Sequence, residues 1–229
     1  MKKLNAFHVN WTRPKQYVGL PVELEEDYEI LTTILSALNW KKYNGSIKLY
    51  TDTPGYNYYE GKDLLDLWDD INTNILDNMP ETIKASKLWS AGKVYAIGNE
   101  PLGSVNIDKD IIVWGNISEF IKDDLTILHR EKHNKFYSIK EDLSPPLNYK
   151  FKDFNWNTEP INVGICCFLN KEFKEKHVSH AKEYISGERT WVGNRKVMMN
   201  DLLYFEQWYP ALLAAKQGYK INEIYDKKM

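Results

Sequence analysis

Residues Ile161–Leu169 read INVGICCFL, a nearly unbroken apolar run. It is far too short to cross a bilayer, which takes about 18 apolar residues or more. Its length and composition fit a strand buried on both faces, as in the middle of an α/β sheet. A strand of that kind requires cover on two sides, so the remaining sequence must supply helices as well as partner strands.

The chain meets that requirement. Leu4–Val9 reads as a first strand, followed by a loop bracketed by Pro14 and Pro21. A helix is predicted over Glu23–Tyr43, because Leu24, Tyr28, Leu31, Leu35 and Leu38 recur at alternating spacings of four and three and so share one face. Asn44-Gly45 is a turn signal, Ser46–Thr51 a second strand, and Leu64–Ile75 a weak helix. Glu81–Ile97 reads as a better helix, and LGSVNIDKDIIVW as two short strands around an acidic centre. Asp124–His129 and Phe136–Ile139 are predicted to pair, and 140–160 to form a proline-marked loop. Lys171–Ile185 and Met198–Lys216 read as helices, and Tyr219–Tyr225 as a last strand. The alternation predicts an α/β fold with a mainly parallel central sheet flanked by helices in a Rossmann-like, nucleotide-binding architecture. One domain is expected over 1–229, with a nucleotide-binding half of about 1–115 and an acceptor-side half of about 116–229.

Composition narrows the function classes. Thirty basic residues against 32 acidic ones leave a net charge of −2, so no basic field exists to hold a polyanion and no nucleic-acid partner is expected. No transmembrane segment and no signal peptide are predicted, and the only two cysteines, the adjacent Cys166 and Cys167, form no disulfide framework. These features read as a cytoplasmic protein, with the cysteines as small core residues on opposite faces of a strand.

Neither G-x-G-x-x-G, nor a P-loop, nor G-x-S-x-G occurs. His129 and His133 lack the zincin pattern between them, and His177 and His180 read as structural. What remains is Asp108-Lys109-Asp110, set between Val105–Ile107 and Ile111–Trp114. On a strand, residues i and i+2 share a face, so both carboxylates would meet one hard cation, Mg²⁺ or Mn²⁺. A cation so held would neutralise a diphosphate leaving group. The alternative is a turn in which Lys109 pairs locally with an aspartate.

With this motif the chain resembles the A-type glycosyltransferases, the nucleotide-diphospho-sugar transferases. SVNIDKDIIVW is similar to their apolar strand with its D-x-D motif, KLWSAGKVYAI to the helix before it, INVGICCFLNKEF to their N-x-G strand, and NDLLYFEQWYPALLAA to a late D/E-Q helix. The resemblance implies a sugar transferase that uses a nucleotide-diphosphate sugar donor and a glycan or small-molecule hydroxyl acceptor, as in bacterial polysaccharide biosynthesis. It implies Asp108 and Asp110 at the metal, Asp108 also at the donor, and Asp52 near the base or ribose. Lys93, or else Lys87, would meet phosphate. Asn162, Gly164 and Gln207 would line the sugar side, and Glu206 or Asp201 would be the base of an inverting reaction. No histidine follows His180, so further metal ligands would be water or donor oxygens. Two alternatives stand beside this reading: a sugar nucleotidyltransferase, and a non-catalytic carbohydrate- or nucleotide-binding domain. The residues by themselves also allow Asp52 as a turn initiator, Lys93 as a solvated helix lysine, Asn162 as a backbone tie and Glu206 in a surface pair.

Overall fold

The computed structural model describes residues 3–17, 27–132, 141, 143–191 and 200–225. Seven strands form one sheet: β1 (Ala6–Asn10), β2 (Ile47–Thr51), β3 (Asp70–Asn72), β4 (Val105–Ile107), β5 (Leu125–Arg130), β6 (Ile161–Phe168) and β7 (Ile221–Glu223), in the order β3-β2-β1-β4-β6-β5-β7. β3, β2, β1 and β4 are mutually parallel. β6 runs against both β4 and β5, and β5 is parallel to β7. Six strands therefore share one direction, and β6 alone opposes them. This is the predicted mainly parallel α/β sheet.

Helices cover both faces: α1 (Arg13–Tyr17), α2 (Asp27–Tyr43), α3 (Thr53–Glu60), α4 (Asn74–Asp77), α5 (Ala91–Asn99), α6 (Lys171–Ser186) and α7 (Tyr209–Gln217). Side-chain alternation along the strands splits the core into two clusters. Phe7, Tyr50, Val163 and Cys166 join α5, α6 and α7 on one side; Ala6, Leu49, Ile165 and Cys167 join α2 and α3 on the other. β6 is buried along nearly its whole length, and the two free cysteines are buried on opposite faces of it, as its sequence predicts. No helix among the described residues is long and apolar enough to cross a membrane.

Several elements differ from their predicted form. The predicted weak helix at Leu64–Ile75 is a 3₁₀ turn (Leu65–Leu67), then β3, then the start of α4. Pairing with the edge of β2 overrides local propensity there, and Asp69 Oδ2 accepts from the Ile47 N–H at 2.8 Å. The predicted helix at Glu81–Ile97 is helical only from Ala91, and 81–90 are turns. Ile111–Trp114 is not a strand. It runs beside α2, where the Ser36 hydroxyl donates to the Ile111 carbonyl at 2.6 Å and Asn44 Nδ2 to the Gly115 carbonyl at 3.1 Å. The predicted strand at Phe136–Ile139, the residues Leu24 and His133, and the start of the predicted helix at Met198 lie outside the described residues.

The largest correction concerns α2. The face carrying Tyr28, Leu31, Leu35 and Leu38 is turned to solvent, with these side chains 41–65% exposed. The helix packs instead through Thr33, Ser36, Ala37 and Trp40. Small residues at the contact allow close approach, and Ser36 repays it with hydrogen bonds. Since the Ser36 proton goes to Ile111, His8 Nε2–H must donate to Ser36 Oγ at 3.0 Å, while Trp68 Nε1–H donates to His8 Nδ1 at 3.2 Å. His8 is thereby fixed as a neutral tautomer, and burial lowers its pKa to about 3.

Candidate functional site: a cleft at the ends of β1 and β4

From β1 the chain builds outward through β2 and β3, then returns to lay β4 on the other side of β1. The crevice beyond the carboxyl ends of β1 and β4 is therefore a topological switch point, where open α/β sheets bind ligands. A cleft of about 510 Å³ opens there. Its floor is Val9, Trp11 and Asp108, and its walls come from α2 (Tyr28, Glu29, Thr32, Thr33) and from the entry to α5 (Trp89, Ser90, Lys93). Lys109 and Asp110 complete it.

Lys93 is the centre of the charge arrangement. Its ammonium lies 2.7 Å from Asp108 Oδ1 and 2.6 Å from Glu206 Oε1. The lysine and glutamate side chains are only 12% and 7% exposed, so Lys93 is not a solvated helix lysine. Burial alone would lower its pKa, but the two carboxylates outweigh burial and hold it above the ordinary lysine value. For Asp108 the balance is opposite. Burial raises its pKa, Glu206 and Asp110 add to the rise, and Lys93 offsets only part of it.

The helix start at Ser90–Lys93 has further polar groups in reserve. Ser90, the residue before α5, makes no side-chain cap bond. Its Oγ and the Trp11 indole N–H are both buried and have no hydrogen-bond partner among the described residues, although both residues line the cleft. Buried polar groups without partners are rare, and they point to a ligand or water that completes them. Gly92 makes this geometry possible, because a Cβ there would meet Trp11 Cβ at 3.0 Å. The first turn of α5 thus lies directly against Trp11. Sequence reasoning missed Trp11, Ser90, Trp89 and Glu29; a serine just before a helical run, and a tryptophan just after the first strand, were the signals available.

Asp108-Lys109-Asp110 lies in a turn after β4, not on a strand, with the Ile111 N–H donating to the Asp108 carbonyl at 3.0 Å. Strand alternation therefore does not bring the two aspartates together, although Asp110 is near enough for its charge to be felt at Asp108. The turn of the local alternative is present, and Lys109 reaches distant partners from it. It donates to Asn10 Oδ1 and to the Tyr59 hydroxyl, each at 3.0 Å. Among the described residues no group of three or more His, Cys, Asp or Glu converges. Mg²⁺ and Mn²⁺ are commonly held by one or two carboxylates, with substrate phosphates and water completing the shell. Asp108 and Asp110 are two carboxylates of that kind on the cleft lining.

The other expected site residues fall elsewhere. Asp52 is buried, and both its oxygens are taken: they accept from the Thr12 N–H and hydroxyl, the Arg13 N–H and the Gly55 N–H at 2.8–3.3 Å. It caps α3 and fastens the loop after β1 to the end of β2, which leaves no oxygen for a ribose. Asn162 ties β6 locally, with Oδ1 accepting from the Gly164 N–H and Nδ2 donating to Glu131 Oε1, both at 3.0 Å. Gly164 makes the close approach expected of it, but toward the protein. A Cβ there would meet Ile111 Cδ1 at 2.5 Å, and its carbonyl accepts from the Asp108 N–H at 2.8 Å. Lys87 and Gln207 do not line the cleft.

Neither expected base is part of the cleft lining. Glu206 sits behind Lys93, in a π turn over Tyr204–Trp208. Pro210 has no N–H to give the Glu206 carbonyl, so the helix widens and Tyr209 N–H reaches back to Tyr204. Asp201 is fully buried, accepting from the Tyr184 hydroxyl and from the Ser144 N–H at 3.0 Å, with Arg189 Nη1 3.8 Å away.

Among matching solved structures is a 4-diphosphocytidyl-2C-methyl-D-erythritol synthase from Anaerococcus prevotii. It is 12% identical to this chain, with 98% of this chain and 90% of that chain covered at a TM-score of 0.45. No curated protein matches the chain. A family model does, over residues 5–229, and the chain accordingly belongs to the family of unknown function DUF6734.

Proposed function

We propose that this protein is a transferase acting on a nucleotide-diphosphate sugar, with the cleft at β1 and β4 as its donor site and a glycan or small hydroxyl compound as acceptor. The observation that carries this reading is the convergence of a fixed cation, Lys93, with the unpartnered Ser90 Oγ and Trp11 indole N–H at the start of α5. Two donors, an ammonium and a helix N-terminus suit a phosphate. Trp89, largely exposed at the cleft, offers a face on which a base or sugar ring stacks. Asp108 and Asp110 would hold Mn²⁺ or Mg²⁺, which when bound neutralises the diphosphate. Glu206 positions Lys93, and Glu29 is the further carboxylate on the cleft wall that would receive an acceptor proton.

Nucleotidyl transfer is the second reading. It is favoured by Lys109, a second cation in the cleft, which suits the greater charge of a triphosphate. The stretch after β1, fastened by Asp52 and with no glycine before Gly19, weighs against it. Incubation with nucleotide sugars and with nucleoside triphosphates, each with and without Mn²⁺, tests both. Release of nucleoside diphosphate supports the main reading and release of pyrophosphate the second. Binding without turnover would leave a non-catalytic module, and failure to bind any nucleotide would overturn all three.

A further inference from the structure

The exposed face of α2 is independent of the cleft chemistry. Tyr28, Leu31, Leu35 and Leu38 are spaced three, four and three apart, the repeat of a helix–helix seam. Each is at least 41% exposed, on the side of the helix opposite the packed residues Thr33, Ser36, Ala37 and Trp40. A contiguous apolar patch of this kind on a soluble surface marks a binding face.

Charge selects the occupant. At the two ends of this face stand Asp27 and Lys42, whereas Glu29 lines the cleft and Lys41 is held by Asp69 at 3.2 Å. A second copy of the same helix, laid antiparallel, brings each acidic end against a basic end and opposes the two helix dipoles. The same two-fold sets Tyr28 against the second copy's Leu38, and Leu31 against its Leu35, so the patch is self-complementary. We propose that α2 is the seam of an antiparallel, two-fold homodimer. An anionic bilayer is the weaker fit, because the chain is net negative and the patch has one acidic end.

Light scattering on the full chain decides the matter together with crosslinking. The wild type is expected to be a dimer. The double variant Leu31→Glu/Leu35→Glu is expected to be a monomer with unchanged circular dichroism, since both side chains are exposed in the single copy. Charge reversal at Asp27 or at Lys42 should weaken association a few-fold, and reversal of both should restore it. For the register, Tyr28→Cys mixed with Leu38→Cys should form a disulfide, while neither variant alone should. In this alignment like positions at either end lie about 15 Å apart along the axis. The native cysteines are buried and stay silent. A wild-type monomer, a dimer that survives the double glutamate variant, or crosslinking by either single cysteine overturns the proposal. A monomer that sediments with phosphatidylglycerol vesicles also overturns it, and assigns the face to a membrane.

Discussion

Two buried charge clusters draw a carboxylate from the same short stretch, Asp201 to Glu206, yet have opposite characters. Lys93–Asp108–Glu206 opens on a cleft, and Asp108 is still 37% exposed. Arg189–Asp201–Tyr184 is sealed, with the arginine and aspartate 2% and 0% exposed. It is roofed by rings, with Tyr149 and His180 Nε2 2.5 Å apart, His180 stacked on Tyr209, and Tyr204 within the same group. Glu206 and Asp201 stand five positions apart, and each was an equal candidate base on sequence. What separates them is the π turn ahead of Pro210, which turns Glu206 toward Lys93, whereas Asp201 precedes it and joins the Tyr184 side. The comparison teaches that a buried carboxylate becomes a functional candidate through what lies on the far side of its partner, not through burial or charge alone.

The largest expected effects test that difference directly. Lys93→Met strands Glu206 as an uncompensated buried charge and should cost about 3–5 kcal/mol of folding stability. Adding Glu206→Gln should recover most of it, so the pair is strongly non-additive in denaturant melts. Asp201→Ala should destabilise by a comparable amount without altering nucleotide affinity. If it weakened nucleotide binding instead, the sealed cluster would be part of the site.

Acid should attack the sealed side first. Burial lowers the pKa of His177 to about 4 and of His180 to about 3, and His8, beneath α2, to about 3. Below the usual value of 6.5 the unfolded chain binds protons that the folded chain refuses. Stability should therefore fall as pH drops from about 6.5 toward 4, by on the order of 1.4 kcal/mol per pH unit per histidine. His177 stacks on Phe168 and its Nδ1 has no partner among the described residues, so His177→Phe should flatten the pH slope measured by urea unfolding. An unchanged slope would mean that the ring is charged in the fold.

On the open side the effects are on binding. Burial raises the pKa of Asp108, so the fold carries its charge at a cost that Lys93 only partly offsets. Asp108→Asn should leave apo stability intact while weakening joint binding of Mn²⁺ and nucleoside diphosphate about ten- to hundredfold by calorimetry. The smallest effect belongs to Ser90→Ala. Its hydroxyl bonds nothing in the described protein, so melting should be unchanged while nucleotide affinity falls about two- to tenfold. A lowered melting temperature would make Ser90 a structural cap.

The sequence by itself determined six of the seven strands, all but the edge strand β3, and placed Asp108 at the end of one of them. β6 was legible because burial on both faces demands an unbroken apolar run. The position of Asp108 was legible because the apolar run of β4 ends there, and strand ends are where α/β sheets meet ligands. Tertiary structure alone decided which surfaces are inside. The apolar stripe of α2 is a property of local spacing, but the face that packs was chosen by Ser36 and Ala37 fitting closely over His8 and Ile111. Asp52 and Asp201 carry the same group as Asp108. Their partners come from distant segments, Thr12 for one and Ser144 and Tyr184 for the other, so only the folded chain reveals that the oxygens of Asp52 are spent and that Asp201 is sealed away from the cleft. Local pattern fixes an element and its faces. Which face is buried, and which carboxylate remains available, depend on hydrogen bonds between residues that the sequence keeps far apart.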